Sequence, residues 1–469
     1  MFSSFFSRAA ALTVILSLVG AGCTKGPTAD AVKASKPLTL NIWGVVDDMD
    51  VYAPSLDAYR KLHPNIALNY QRFRLEEYER KMLEGMAEDR GPDIFLIHND
   101  WVDKYMSRVT PMPKTTKVGY LTVTGSIKKE QTWDARTEPT ISLREYRSSY
   151  ADAVLRDTIR SVNVSPTPDK TLFEERIVAM PLAIDTLALY YNKDLLNAGG
   201  IASPPETWTQ FQEQVKKLTR LDQDGKLLQS AVGMGTSKNV QRSTDLLSIL
   251  MIQNGAEMVG ETGSITFQNI PPALSGQREE PPSYSALTFY TDFANPSKET
   301  YTWDALQPDS LDAFVQGRTA FYFGYSYDLA TIRARAPKLN LGMSKLPQIE
   351  GNAIRNYANY WAWTVSKKTA SPDAAWNLIN FLAQPEQNQK ILALMKRPAA
   401  RKALLQDQLE SEDVGVFASQ VLTAVTWYHG KDPATMESAF RDLIDQVLQG
   451  APIGQAMRQA VEKVSQTLY

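Results

Sequence analysis

Between Leu38 and Ile97 the sequence changes its hydrophobic period from one element to the next, which restricts the folds open to it more than any other feature. Leu38, Leu40 and Ile42 alternate with Thr39, Asn41 and Trp43, the period of a strand, and the pattern breaks at Gly44. Leu56, Tyr59 and Leu62 then recur at helical spacing before Pro64, and Ile66, Leu68 and Tyr70 alternate again. Leu75, Tyr78, Met82, Leu83 and Met86 mark one helical face that stops at Gly91 and Pro92. The unbroken run Ile94 to Ile97 has the character of a strand covered on both faces. A β-α-β-α-β order winds right-handed into a parallel sheet, and ligands of open sheets bind beyond the carboxyl ends of the strands. Two loops therefore become candidate binding positions: Gly44 to Asp50, which carries Asp47, and His98 to Asp103.

The rest of the chain extends this α/β pattern. Helical spacing returns between Tyr146 and Ile159, a strand is expected from Thr186 to Asn192, and Thr207 with Gln210 fits a capping box before a helix through Leu218. Further strands are expected around Ala320–Phe323, Leu339–Met343 and Trp361–Val365, then a helix with Ser371 at its cap and Pro372 in its first turn. The stretch from Pro111 to about Glu138 has no consistent period and reads as an insertion of undefined shape. At ~100 to 200 residues per domain, 469 residues suffice for two or three lobes.

At the front of the chain Arg8 precedes the apolar run Ala9 to Val19, which ends in Gly20, Ala21, Gly22 and Cys23. This is the layout of an export signal, 1–22, with an apolar core too short to span a bilayer. Cys23 is the only cysteine, so no disulfide is available to an exported chain and its lobes must be held by their cores. Its position resembles the lipobox of bacterial lipoproteins, in which the thiol takes a diacylglycerol; Gly20 stands where the usual box has Leu. The alternative is an ordinary signal whose leftover cysteine has no role. Residues 23–36, small and polar, are expected to be a tether, with order beginning at Pro37. The formal charge of −2 gives no reason to expect nucleic acid as a partner, and three scattered histidines do not form a zinc motif. Neither cofactor nor metal is expected. Asp222 and Asp224 beside Gly225 do not fit a calcium loop, since Arg220 and Ala231 would fall at ligand positions, and a solvated turn is the better account.

Eight pieces, in order, resemble the bacterial extracellular solute-binding proteins of ABC importers, in the branch that includes maltose-binding protein. They are LTLNIWG at Leu38, RGPDIFLIHNDWV at Arg90, MPLAIDTLALYYNKDLLNAGG at Met180, PPETWTQF at Pro204, AFVQGRTAFYF at Ala313, SPDAAWNLINFLAQPE at Ser371, RPAAR at Arg397 and a closing helical stretch from Met436. The resemblance implies an α/β fold of two lobes joined by crossing strands, with the ligand cleft between them. It implies an N-terminal lobe of 37–185 plus 308–347 and a C-terminal lobe of 186–307 plus 348–469. The implied function is capture of a carbohydrate, an oligosaccharide, for a membrane permease by a lipid-anchored monomer on the extracytoplasmic side.

A sugar site combines aromatic faces for the ring with polar groups for the hydroxyls. Sheet geometry puts Trp43, Asn99, Asp100 and Trp101 at the cleft mouth, with Trp101 as a lobe cap in the duller account. The matched segments add Asp185, with a hinge hydrogen bond as its alternative role, Tyr325 and Tyr327 in place of family tryptophans, Tyr360 and Trp361, and Trp427. At the family's second stacking tryptophan this chain carries Arg441. Trp376 and Trp208 read as core. Two other functions stay open on the residues alone: a secreted carbohydrate-active enzyme using Asp100 and Asp185 as paired carboxylates, and a sensory or adhesion module of the same fold.

Overall fold

A computed structural model describes residues 28–124, 130–165 and 171–468. Cys23 and the export segment lie outside the described residues. From Leu38 onward five successive elements follow the periods in the sequence: β1 Leu38–Val45, α1 Met49–Leu62, β2 Ile66–Phe73, α2 Leu75–Ala87 and β3 Ile94–His98. Strand β1 is central and parallel to both neighbours, with Leu38 opposite Ile66 and Ile42 opposite Ile94. In β3 Ile94 to Ile97 are all buried, as a strand with both faces covered must be. The Tyr78 hydroxyl pins α2 to this strand, donating to the Leu96 carbonyl at 2.7 Å and accepting from the Leu96 amide at 3.0 Å.

The outer neighbour of β3 comes from far along the chain: Trp361–Val365 runs antiparallel to it, with Trp361 opposite His98. The helices Pro372–Leu382 and Pro385–Met395 follow, burying Trp376, Leu378, Ile379 and Ile391 in the same core. A second sheet has the order Arg220–Leu221, Leu227–Val232, Thr319–Gly324, Ala188–Asn192, Leu341–Ser344, and every residue of Thr319–Gly324 is buried. Phe321 and Phe323 there pack around Phe211, and Phe323 also meets Trp208. These pairings correct the expected division of the C-terminal half. Residues 308–347, expected in the first lobe, supply the centre and an edge of the second sheet, and much of 348–469, expected in the second lobe, completes the first. Hydrogen-bond register between distant strands decides membership, and chain order carries no trace of it.

The buried cores accordingly run over about 38–184 with 358–424, and about 187–346 with 427–464. The chain passes between them three times, and the three passages pair with one another. Asn356–Asn359 lies between Asp185–Thr186, antiparallel, and Ala424–Val425, parallel. This small sheet is the junction of the two lobes.

Two expectations near the N-terminus are also corrected. The segment 111–138 is a hairpin, Thr115–Thr124 against Glu130–Pro139 in continuous antiparallel register. Its signal was the β-branched content of Thr115, Thr116, Val118, Thr122, Val123 and Thr124, which favours a pleated strand even where alternation is weak. Val118 is buried, and His63 Nδ1 lies 2.8 Å from the Gly119 carbonyl oxygen. The end of the expected tether is ordered too: Ala29–Ala34 is a helix capped by Thr28, with Ala31 buried, and Asn65 donates to the carbonyls of Ala34 and Lys36. The turn at Asp222 is a local one, with the Asp222 carboxylate accepting from the amides of Asp224 and Lys226.

Candidate functional site

Where the lobes meet at the junction sheet there is a cleft of about 260 Å³. The first lobe supplies Val46, Asp47, His98, Asp100, Trp101, Trp361 and Arg397, the second Arg242, Tyr327 and Glu437, and the junction Asp185 and Asn359. A smaller chamber of about 110 Å³ adjoins it. His98, Asp100, Arg242, Asn359 and Glu437 line both, so the two form one elongated site.

Each wall is built by local chemistry. After β1 the chain makes a tight turn: the Asp47 amide donates to the Val45 carbonyl at 2.8 Å, and Val46 is held at φ 72°. That left-handed conformation is strained for a β-branched residue. What holds it is the far end of the turn, where Asp47 receives both terminal nitrogens of Arg397 at 2.9 and 3.0 Å. The two side chains are only 10% and 12% exposed, and Lys396, at φ 57°, closes the preceding helix and turns the chain into Arg397. Burial raises the Asp47 carboxyl above its ordinary value, with Arg397 opposing.

After β3, Asn99 accepts from the Tyr360 amide and donates its own amide to the Tyr360 carbonyl, which fixes this loop to the junction. His98 pairs with Asp100 through Nδ1. Burial pushes the imidazole down, but the Asp100 carboxylate, Asn359 and Asp245 together outweigh it and the net shift is upward. Trp361 receives Trp101 edge-on at 5.3 Å and His98 at 5.2 Å, so three rings make a continuous aromatic wall. Across from it, Tyr327 stacks on Tyr325 at 5.5 Å and 24°, and the Arg242 guanidinium lies over both rings. Arg242 donates to the Tyr327 hydroxyl, and its Nε is buried with no partner among the described residues. Burial also raises the carboxyls of Asp245 and Glu437 beside it.

The structure sorts the expected site residues. Asp47, Asp100, Trp101, Asp185, Tyr327, Tyr360 and Trp361 line the larger chamber, and Asn99 and Trp427 line the smaller one, where Arg441 also lies. Trp43 does not reach either: its ring packs on Phe73 at 4.7 Å and against Gly85 of α2, because residue 43 of β1 faces the helix layer. Tyr325 is fully buried behind Tyr327, its hydroxyl donating to Asp245 at 2.8 Å. Asp185 borders the cleft with its acceptors already used: Ser326 gives its amide to both oxygens and its hydroxyl to Oδ2 at 2.6 Å, and the Thr186 amide gives to Oδ1 at 2.9 Å. It thus ties the first passage between lobes to the loop carrying Tyr327. Burial raises its carboxyl to about 6 despite these donors. The Tyr360 hydroxyl is likewise occupied, donating to Asp157 at 2.6 Å.

Sequence reasoning had not singled out His98, Arg242, Asn359, Arg397 or Glu437. His98 begins a loop already marked and Arg397 begins a matched motif, so both were within reach. Arg242 stands in a Ser- and Thr-rich loop with no pattern around it. Among the described residues no group of three or more His, Cys, Asp or Glu is placed to hold a metal ion. The site therefore offers flat aromatic surfaces and hydrogen-bonding groups of both polarities, the requirements of a polyhydroxylated ring.

Comparison with known proteins agrees. The family model described as bacterial extracellular solute-binding protein matches residues 45–389. The maltodextrin-binding protein MdxE of Bacillus subtilis is 27% identical over 220 residues, 44% of this chain and 46% of its own. A probable ABC transporter-binding protein of Deinococcus radiodurans is 24% identical over 221 residues, 46% and 49% of the two chains. The chain thus spans about half the length of the curated relatives it matches. Solved structures are covered almost entirely: the GacH receptor of Streptomyces glaucescens at TM-score 0.66 and 16% identity, over 92% of this chain and 98% of that one. A cyclo/maltodextrin-binding protein complexed with maltotetraose gives TM-score 0.67 and 17% identity, over 92% and 97%. On its sequence match and its two-lobed fold, this chain belongs to the bacterial extracellular solute-binding protein family.

Proposed function

We propose that the protein is the extracytoplasmic substrate-binding component of an ABC importer, a monomer that captures an oligosaccharide and delivers it to a membrane permease. The observation that carries this reading is the pair of aromatic walls, Trp101 with Trp361 on one lobe and Tyr327 on the other, with Asp100, Arg242 and Glu437 between them. Closing the lobes would bring the two walls onto opposite faces of one sugar ring. The names of the relatives, maltodextrin-binding and ABC transporter-binding, point the same way. Binding without catalysis is favoured by the state of Asp185. Of the two carboxylates that an enzyme reading would pair, Asp185 has both oxygens filled by Ser326 and Thr186.

A thermal-shift screen over maltodextrins and other oligosaccharides tests the proposal. Saturation at 100 times Kd stabilises the native state by ~2.7 kcal/mol, a readily measured shift. Absence of any shift across the sugars, or appearance of cleavage products, would overturn it. Attachment to the membrane through a diacylglyceryl group on Cys23 belongs to the same reading, since no helix among the described residues is long and apolar enough to cross a bilayer. Cys23→Ser is expected to move the protein out of the membrane fraction; retention there would refute the anchor.

A further inference from the structure

The hairpin Thr115–Thr124 and Glu130–Pro139 has two faces with different surroundings. Thr116, Val118 and Tyr120 point into the first lobe, where Thr116 accepts from Asn377 and Val118 is buried. The opposite face, by the alternation of a strand, carries residues 117, 119, 121 and 123, and in register with them Ala135, Trp133 and Gln131. A side chain at Gly119 would strike the backbone of Ala34, so the N-terminal helix Ala29–Ala34 lies on this outer face. Lys117 on the same face pairs with Asp30 of that helix at 2.6 Å.

Beyond the helix the outer face is largely apolar, with Gln131, opposite Val123, its polar member. Leu121 and Trp133 are a cross-strand pair, each half-buried, and Val123 is 51% exposed. Trp133 has no ring or hydrogen-bond partner among the described residues. Tryptophan of this kind, with an apolar body and a free indole N–H, is enriched at membrane–water interfaces.

Chain length brings this patch to a bilayer. Five peptide steps separate Cys23 from Thr28, a reach of at most about 17 Å. Lys117, beside the start of the helix, is four residues from Leu121, about 13 Å along the strand, and six from Val123, about 20 Å. An acyl anchor on Cys23 therefore keeps the lipid surface within the same distance as the patch.

We infer that the outer face of this hairpin, Leu121, Val123 and Trp133, rests on the lipid surface and, with the anchor, holds the first lobe in one orientation on the membrane. The inference rests on the anchor reading. A single point of attachment would leave the body free to swivel, whereas two points on one face leave the second lobe free to open and close.

The test uses the chain from Cys23 onward, its single thiol coupled to a maleimide lipid in phosphatidylcholine vesicles carrying brominated acyl chains. Bromine quenches only indoles at the bilayer. Part of the tryptophan emission is expected to be quenched, the quenched part to vanish in Trp133→Phe and to fall severalfold in Val123→Glu, with thermal stability unchanged in both. No quenching, or quenching that survives Trp133→Phe, overturns the inference. Because the coupling is chemical, this result is independent of the Cys23→Ser fractionation, which alone bears on lipidation in the cell.

Discussion

Replacing Asp185 by Asn isolates the energetic role of the junction carboxyl. Asp185 is 3% exposed, and burial raises its carboxyl from the ordinary 3.8 to about 6, against the pull of three donors from Ser326 and Thr186. A native pKa above the unfolded one means that the folded state binds the proton more tightly. The resulting stability is complete below pH ~3.8 and is lost as the pH rises through ~6. Each pKa unit being worth 1.36 kcal/mol, this one group contributes roughly 3 kcal/mol at full protonation, of which about 2 kcal/mol is lost between pH 4 and pH 8. Asparagine has the shape of the neutral acid and no titration, so the Asn variant lacks this component. Urea unfolding of both proteins at pH 4, 5, 6, 7 and 8 is expected to show the stability of wild type relative to Asp185→Asn falling with pH, most steeply near pH 5, between the unfolded and folded pKa values, and levelling off above pH 6. Parallel profiles, or a relative gain for wild type on raising the pH, would refute the reasoning: the donors of Ser326 and Thr186 would then have outweighed desolvation and kept an anion.

The remaining predictions concern separate parts of the molecule. Tyr327→Ala and Trp101→Ala are each expected to weaken sugar binding by about 1 to 3 kcal/mol in titration calorimetry, through lost aromatic contact, while Trp43→Phe leaves affinity unchanged because Trp43 faces α2. Arg397→Met should lower unfolding free energy by about 3 to 5 kcal/mol, since it leaves Asp47 buried without its partner; the double variant with Asp47→Leu should recover much of that. Asp157 is 1% exposed and accepts from Tyr360, Thr426 and His429 where the third passage between lobes begins. Asp157→Ala should therefore cost more than about 2 kcal/mol in denaturant melts, against little change if these contacts are incidental. In solution scattering, a saturating sugar is expected to reduce the radius of gyration; an unchanged value would argue against closure.

What the sequence determined by itself is the part of this protein encoded in nearby residues. Alternation in Leu38–Ile42, helical spacing from Leu75 to Met86 and the apolar run at Ile94 specify elements whose hydrophobic faces have one way to be buried, and strand polarity then places the loops at Asp47 and Asp100 on the cleft. Hairpin 115–139 belonged to this class as well, through its β-branched residues, although alternation alone did not reveal it. Tertiary structure decided what depends on partners distant in the chain. Asp47 meets Arg397 across 350 positions, Trp361 pairs with His98 of β3, and Thr319–Gly324 enters the second sheet against Ala188–Asn192. Neither period nor composition encodes such a pairing, because a strand presents the same pattern to any neighbour of suitable register. The same holds for role within the site. Asp185 and Tyr325 have the side chains of ligand-binding groups, yet Ser326 and Asp245 engage them first, and only the folded arrangement shows that the groups left facing the cleft include Trp101, Trp361, Tyr327, Asp100, Arg242 and Glu437.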